Sequence, residues 1–446
     1  VAAPGLLPGE AARVIDATGK IVLPGGIEPH AHIAERVNRE WAGRPNVYTQ
    51  SPDAASRAAV FGGVTTILDF ASLPRRRDDD GPPPAILDGI EARSGLFSGH
   101  SYTDFAFHFF LFFGVPPETI GQIGEAVQQG VASFKVFTNG RTRVPYGHLD
   151  SVMAEVAQAG GIMAVHAEDD DVVNYMTETL QREGRDQGYN LPLVHNNLSE
   201  DLSFRAVIQL ARHTGAGVYF VHTTAKEGVD AVAEARADGL PVYAEALHNY
   251  LHFTADDYKG PLGTAIHTYP AIKSAADRDA LIAAILDGRL STTATDEYTV
   301  PKDVKLQGQT IHTVCGGHNG IETRIPVAFT KLVQERGMPL GRFADVIATN
   351  AAKILGLYPR KGAILPGSDA DLLLLDPTLE KTLSLDDLHA DADYSIWEGF
   401  TCRGYPVMTL LRGKVIVENG ALLGSPSDGE WLPRKIAPAV LAGPAV

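Results

Sequence analysis

The sequence predicts an α/β fold: a (β/α)8 TIM barrel with a small β-sandwich domain built from both chain termini. Three observations carry that prediction. Short apolar, β-branched runs alternate with longer stretches rich in Ala, Glu and Leu, the pattern of parallel strands joined by crossover helices. Eight such runs can be counted, the number this kind of barrel needs. Residues able to bind a cation or move a proton recur at the C-terminal ends of those runs, the face on which barrel enzymes carry their active sites.

Taken in order, the expected strands are Ile27–His32, Val64–Ala71, Phe105–Phe113, Ser133–Thr138, Ile162–Glu168, Val218–Thr224, Val242–Leu247 and Leu290–Asp296. Helical spacing marks Gly121–Gln129, Leu149–Ala159, Glu227–Asp238 and Asp277–Asp287 between them. Outside this region, Ala12–Leu23 reads as a turn and one short strand. Lys361–Ile364 leads into the apolar run that ends at Asp376, and Val407–Val417 supplies two strands around Arg412-Gly413. The expected division is therefore 1–25 and 360–425 for the small domain, 26–359 for the catalytic barrel, and 426–446 for a C-terminal arm. Val1 falls inside the small domain, so an N-terminal portion is expected to be absent from the numbered chain. Arg75–Arg77, Asp78–Asp80 and Pro82–Pro84 read as a solvated loop. The arm, with Trp431, reads as a tail that is either disordered or packed on a neighbouring subunit.

Composition narrows the function classes. The 446 residues are 44% hydrophobic and 21% charged, ordinary for a soluble globular enzyme. A net charge of -16 argues against nucleic acid or an anionic membrane as partner, since both are polyanions. Two cysteines, Cys315 and Cys402, suggest no disulfide framework and fit a reducing, cytoplasmic compartment. The most apolar run, Phe105–Phe113, is about half of the ~20 residues a bilayer span needs, and no signal peptide is visible.

The chemistry lies in Gly26-Ile27-Glu28-Pro29-His30-Ala31-His32 and its partners. In an extended strand, residues i and i+2 face the same way, so both imidazoles can converge on one ion. Alone, such a pair is weak evidence. Strand four, however, carries Lys135 between Phe134 and Val136, strand five ends in His166-Ala167-Glu168, strand six in His222, and strand eight in Asp296. Each has a bland reading: a hydrogen-bonded core histidine, a helix-capping aspartate, a lysine reaching for the barrel mouth. All six at one end of five strands is a functional constellation.

These residues resemble the amidohydrolase superfamily, and within it the hydantoinase/dihydropyrimidinase group of cyclic amidases. The resemblance runs from about Val14 to about Lys435. It rests on Pro24–His32, Gly62–Thr66, Ser133-Phe134-Lys135, His166-Ala167-Glu168, Gly320–Arg324, Pro359–Gly362 and Gly367–Asp371. It implies a hydrolase with two divalent ions, usually zinc (manganese or cobalt being the alternatives), that opens a cyclic amide: a hydantoin, dihydropyrimidine, cyclic imide or related ring. A related enzyme of acyclic amides, ureides or unusual heterocycles is the alternative. By this resemblance His30, His32 and Asp296 bind one ion and His166 and His222 the other. Lys135, carboxylated by carbon dioxide, bridges them, and a hydroxide shared by the ions attacks the carbonyl. Asp296 is also the expected general base and acid. The family is commonly tetrameric or dimeric, so a homo-oligomer is expected.

On the substrate side the chain leaves the family pattern. Where typical hydantoinases carry a tyrosine five residues after the lysine, this chain has Gly140, followed by Arg141. Arg141 reads either as an oxyanion or substituent contact or as a solvated loop residue. Tyr269, before Pro270, stands where relatives commonly have serine and is a second source of a phenol. The asparagine-bearing loop of relatives corresponds to Cys315-Gly316-Gly317-His318-Asn319. Gly316 aligns without a gap and Asn319 lies three residues later, so His318 and Asn319 remain candidate substrate contacts. Glu297 and Tyr298 follow the metal-binding aspartate, where relatives mostly have histidine next. The chemistry reads as retained and the substrate as changed.

Overall fold

A computed structural model of the protein describes residues 13–73, 85–112, 115 and 117–446. The charged loop expected at Arg75–Asp80 and Pro82–Pro84 lies outside the described residues, as do Val1 and the start of the small domain. Strand β1 (Ile21–Pro24) precedes eight parallel strands in sequential order: β2 (Gly26–Glu28), β3 (Val64–Ala71), β4 (Asp104–Phe110), β5 (Ser133–Phe137), β6 (Ile162–His166), β7 (Gly217–Phe220), β8 (Val242–Leu247) and β9 (Thr292–Ala294). Every expected barrel strand is present. The structural strands stop two to four residues short at β2, β6, β7 and β9, because the chain there leaves the ladder to present side chains at the mouth.

The barrel closes between β9 and β2 by a parallel bridge from Ala31 to Glu297. Below that bridge, the wholly buried Arg324 guanidinium spans the seam. It donates to the Thr293 carbonyl on β9 (2.8 Å) and the Ile27 carbonyl on β2 (2.7 Å), and pairs with Glu28 at 3.1 Å. A planar fork satisfies two strands that short segments cannot zip together. The helices lie where 3.6-residue spacing put them: Ile123–Gln128, Tyr146–Ala159, Lys226–Ala237 and Ala275–Asp287. The last starts with a reciprocal capping pair, Ser274 and Asp277.

Both ends of the chain build a second, antiparallel sheet of order β1-β10-β11-β12-β13, with β10 (Leu372–Thr382), β11 (Thr401–Leu411), β12 (Lys414–Glu418) and β13 (Ala421–Leu422). Arg412 and Gly413, both with positive φ (47° and 84°), make the tight turn between β11 and β12. Buried Lys361 fastens this sheet to the barrel. Its ammonium lies 2.5 Å from Asp104 at the start of β4 and 2.6 Å from Asp371 at the foot of β10. The Gly62-Gly63 corner permits the close approach: a Cβ on Gly63 (φ 83°) would stand 2.7 Å from the Leu373 side chain.

The C-terminal segment departs from expectation. It is neither a loose tail nor spare surface but a strap along its own barrel. Leu432 N–H donates to the Phe105 carbonyl (2.8 Å), and buried Arg434 donates to the carbonyls of Leu355 and Phe107 and to the Ser133 hydroxyl. A short helix, Pro438–Ala442, follows, and the Tyr243 hydroxyl donates to the Val440 carbonyl at 2.7 Å. Leu432, Ile436 and Val440 join the barrel's core, and the polar anchors between them hid this from the apolar pattern. No helix among the described residues is long and apolar enough to cross a membrane.

Candidate metal centre

The six expected ligands meet at the C-terminal mouth of the barrel, lining one cavity of about 330 Å³. His30 and His32 lie just past β2, where Ala31 N–H bonds the Leu68 carbonyl and His32 N–H the Glu297 carbonyl. That extended, pinned segment sends alternate side chains the same way. Lys135 stands at the centre of β5 and His166 ends β6. His222 and Asp296 follow β7 and β9 with φ of 41° and 52°, left-handed values that non-glycine residues adopt at a cost of about 1–3 kcal/mol. Such strain in two residues facing one cavity marks a functional constraint.

The ring nitrogens face inward in two groups. Asp296 Oδ1 lies 3.1 Å from His30 Nε2 and 3.2 Å from His32 Nε2. His166 Nδ1 lies 3.0 Å from His222 Nε2. One ligand atom from each of His30, His222 and Asp296 falls within 4.8 Å of the others, which ties the groups together.

Behind the rings stands a layer of carboxylates that the sequence reading left unassigned. Glu245 holds His30 Nδ1 (2.6 Å), Glu35 holds His32 Nδ1 (2.6 Å), and Glu168 holds His166 Nε2 (2.9 Å). Glu168 is itself fixed by His195 (2.8 Å) and the Asn139 amide (3.1 Å). Burial alone would raise the Glu168 carboxyl, but His195 and His166 outweigh it and hold it well below the usual range. An ionised carboxylate accepts only, so each of these rings donates from its outer nitrogen and leaves its inner nitrogen facing the cavity.

This donor set fits divalent cations. Asp296 Oδ1 facing the inner nitrogens of both His30 and His32 calls for positive charge between them, either a proton on a ring or a cation in its place. Asp296 is held well below its ordinary value: burial works against this, while His30 and His32 overcome it. For His32, burial opposes the charged form, yet Glu35 and Asp296 raise the ring to about 10. The cluster favours positive charge. Lys135 completes the fit: its ammonium nitrogen is buried with no hydrogen-bond partner among the described residues, over the Phe70 and Phe137 rings, and burial lowers it to about 8.

On the substrate side the structure separates the candidates. Arg141 is 82% exposed in its side chain and pairs with Glu40 at 2.7 Å, outside the cavity. Asn319 spends its amide on the Tyr394 carbonyl (2.7 Å), and His318 is buried behind Glu297, bonded to the Asn319 carbonyl. Neither lines the cavity. Gly316 and Gly317 do, which supports the ungapped register. Buried Lys305 holds that loop by donating to the carbonyls of His267, Cys315 and Gly317. Tyr269 does line the cavity, stacked on Trp41 with ring centroids 5.3 Å apart, but its hydroxyl donates to the Val314 carbonyl. Tyr298 is the lining phenol without a hydrogen-bond partner among the described residues. Its ring stands edge-on to His32, and Gly317 (φ 83°) packs so closely that a Cβ there would meet the Tyr298 Cβ at 2.3 Å.

A barrel whose mouth gathers four histidines, a buried lysine and an aspartate, three of the rings oriented from behind by carboxylates, belongs to the class of barrel hydrolases that work with divalent cations. Comparison with known proteins agrees. The model of the amidohydrolase family matches residues 21–416. A D-hydantoinase of Ralstonia pickettii is 31% identical over 442 residues, covering 96% of this chain and 92% of its own. An L-hydantoinase of Paenarthrobacter aurescens is 27% identical over 432 residues, with 96% and 90% covered. The crystal structure of a dihydropyrimidinase from Brevibacillus agri superposes with a TM-score of 0.89 at 28% identity, covering 97% of this chain and 92% of that one. The chain belongs to the amidohydrolase family, in its hydantoinase/dihydropyrimidinase group. That family is metal-dependent, and the ring of donors above is this chain's candidate site.

Proposed function

We propose that the protein is a hydrolase that opens cyclic amides of the hydantoin, dihydropyrimidine or cyclic imide type. The observation that carries this reading is the inward-facing set of His30, His32, Lys135, His166, His222 and Asp296 in one cavity, with Glu35, Glu245 and Glu168 setting the tautomers of three rings. The similarity to hydantoinases and a dihydropyrimidinase names the ring class.

His30, His32 and Asp296 would hold one divalent ion and His166 and His222 a second, with Lys135 carboxylated to bridge them. Zinc suits this nitrogen and oxygen donor set, with manganese or cobalt as substitutes. Bound there, the ions would supply an activated water and polarise the substrate carbonyl. Carboxylation needs a neutral amine, which the burial of Lys135 supplies. Asp296 borders the cavity, so its carboxylate is placed to take the proton of the attacking water and pass it to the leaving nitrogen. One C–O bond forms, one C–N bond breaks, and water is consumed. Tyr298, its hydroxyl uncommitted, takes the role of donor to the charge developing on the carbonyl oxygen. Trp41, Phe110 and Phe137 give the cavity an apolar wall for a ring substituent.

We place the enzyme in the cytoplasm, in keeping with two buried free cysteines. We further propose a homo-oligomer of two or four copies, for which exposed Tyr175, Leu198 and Leu202 on neighbouring helices offer apolar surface. A ring-opening screen of hydantoins, dihydrouracils, cyclic imides and allantoin with metal-reconstituted protein tests the activity. Turnover of at least one ring is expected, and a complete blank from a metal-loaded chain would overturn it.

A further inference from the structure

Strand β8 contributes no ligand to the cluster, yet its Glu245 reaches both halves of it. The side chain is fully buried. Its Oε1 accepts from His30 Nδ1 at 2.6 Å and from the backbone N–H of His222 at 3.0 Å. Its Oε2 accepts from the Tyr219 hydroxyl at 2.6 Å. The other two backing carboxylates each touch a single ligand: Glu35 meets only His32, and Glu168 meets only His166.

The contact with His222 is to its backbone, and that is the informative part. His222 sits at φ 41°, a conformation a histidine leaves unless something holds it. Glu245 captures the N–H of that residue with one oxygen. The same carboxylate fixes the outer nitrogen of His30, while the Glu245 carbonyl accepts from Thr223 N–H at 2.8 Å. The ring of the first site and the strained turn of the second thus hang on one buried charge.

We propose that Glu245 is a positioning residue that couples the two cation sites, so that perturbing it loosens both ions together. The inference rests on the two-cation reading above. It assigns strand β8 a role in the centre although that strand supplies no ligand. It also explains why a carboxylate is buried in an otherwise apolar strand.

The test is a titration of chelator-stripped protein with Co²⁺, followed by visible absorption and calorimetry, in wild type, Glu245→Gln and Glu35→Gln. Gln keeps the shape and one acceptor oxygen but removes the negative charge that draws the His30 proton outward and holds the His222 N–H. Glu245→Gln should weaken both ions in parallel by about 10–100-fold, the usual effect of removing a partner behind a ligand, whereas Glu35→Gln should weaken one. Should Glu245→Gln not fold, Tyr219→Phe decides, since it keeps both histidine contacts but releases Oε2. A smaller weakening of both ions is then expected. Weakening of one ion only, or lower thermal stability of the stripped protein with both affinities unchanged, would overturn the coupling. A wild-type chain that takes up fewer than two ions would overturn the parent reading and the coupling with it, a result separable from failure of the variants alone.

Discussion

A histidine binds a cation through its inward nitrogen, and here three rings are oriented for that by carboxylates drawn from three different segments. Replacing His166 by Ala should remove the second ion and bring turnover down with it; metal analysis beside a ring-opening assay checks both. Tyr298→Phe should keep the metal content while kcat falls by about 10²–10³-fold, the effect of losing one donor to an oxyanion, as steady-state kinetics would show. Lys135, lowered by burial to about 8, adds a pH prediction. Its neutral form grows as pH rises through that value. At fixed dissolved carbon dioxide, carboxylation of stripped enzyme should therefore speed up between pH 7 and 9, read as the rate of reactivation on adding Zn²⁺. The six inward residues were legible because each ends or occupies an apolar run. Glu35 and Glu245 were not, since their partners are distant or lie around a turn and only the closed barrel shows the pairing. A buried carboxylate within Val242–Leu247 was the available signal. That Arg141, His318 and Asn319 lie outside the cavity lining was hidden for the same reason: which loop residue faces the cavity depends on commitments, such as Asn319 to Tyr394, that spacing cannot reveal.

At the scale of elements, the barrel and the small sheet share an apolar core, with Leu373 and Leu375 packed among barrel residues, and buried polar contacts pin it. Lys361 is the clearest, with Asp104 and Asp371 around it. Lys361→Met should cost about 3–5 kcal/mol by taking the cation from buried Asp371 and leaving Asp104 only the Arg412 guanidinium, measurable by urea unfolding. Strand existence and order could be read from sequence because parallel strands covered on both faces are continuous apolar runs. Strand ends could not, because the catalytic segments past β2, β7 and β9 are held by side chains and single bridges rather than by the ladder. The C-terminal strap was misread because Arg434, a residue ordinarily on the surface, is its buried anchor.

At the scale of the whole molecule, the candidate centre draws on five strands of the barrel, so cations bound there would hold much of the fold's mouth together. Anything that binds the folded chain alone stabilises it, by about 2.7 kcal/mol at a hundredfold excess over Kd. Chelation should accordingly lower the unfolding temperature by several degrees, and Zn²⁺ should restore it, as calorimetry would record. On the proposed reading, one cavity at the barrel mouth would hold two divalent cations on His30, His32, Lys135, His166, His222 and Asp296. Elemental analysis of the purified, reconstituted protein tests it directly. About two divalent ions per chain are predicted, falling toward zero when His30 and His222 are both replaced by Ala. A folded wild-type chain that retains no divalent ion after reconstitution would contradict the account.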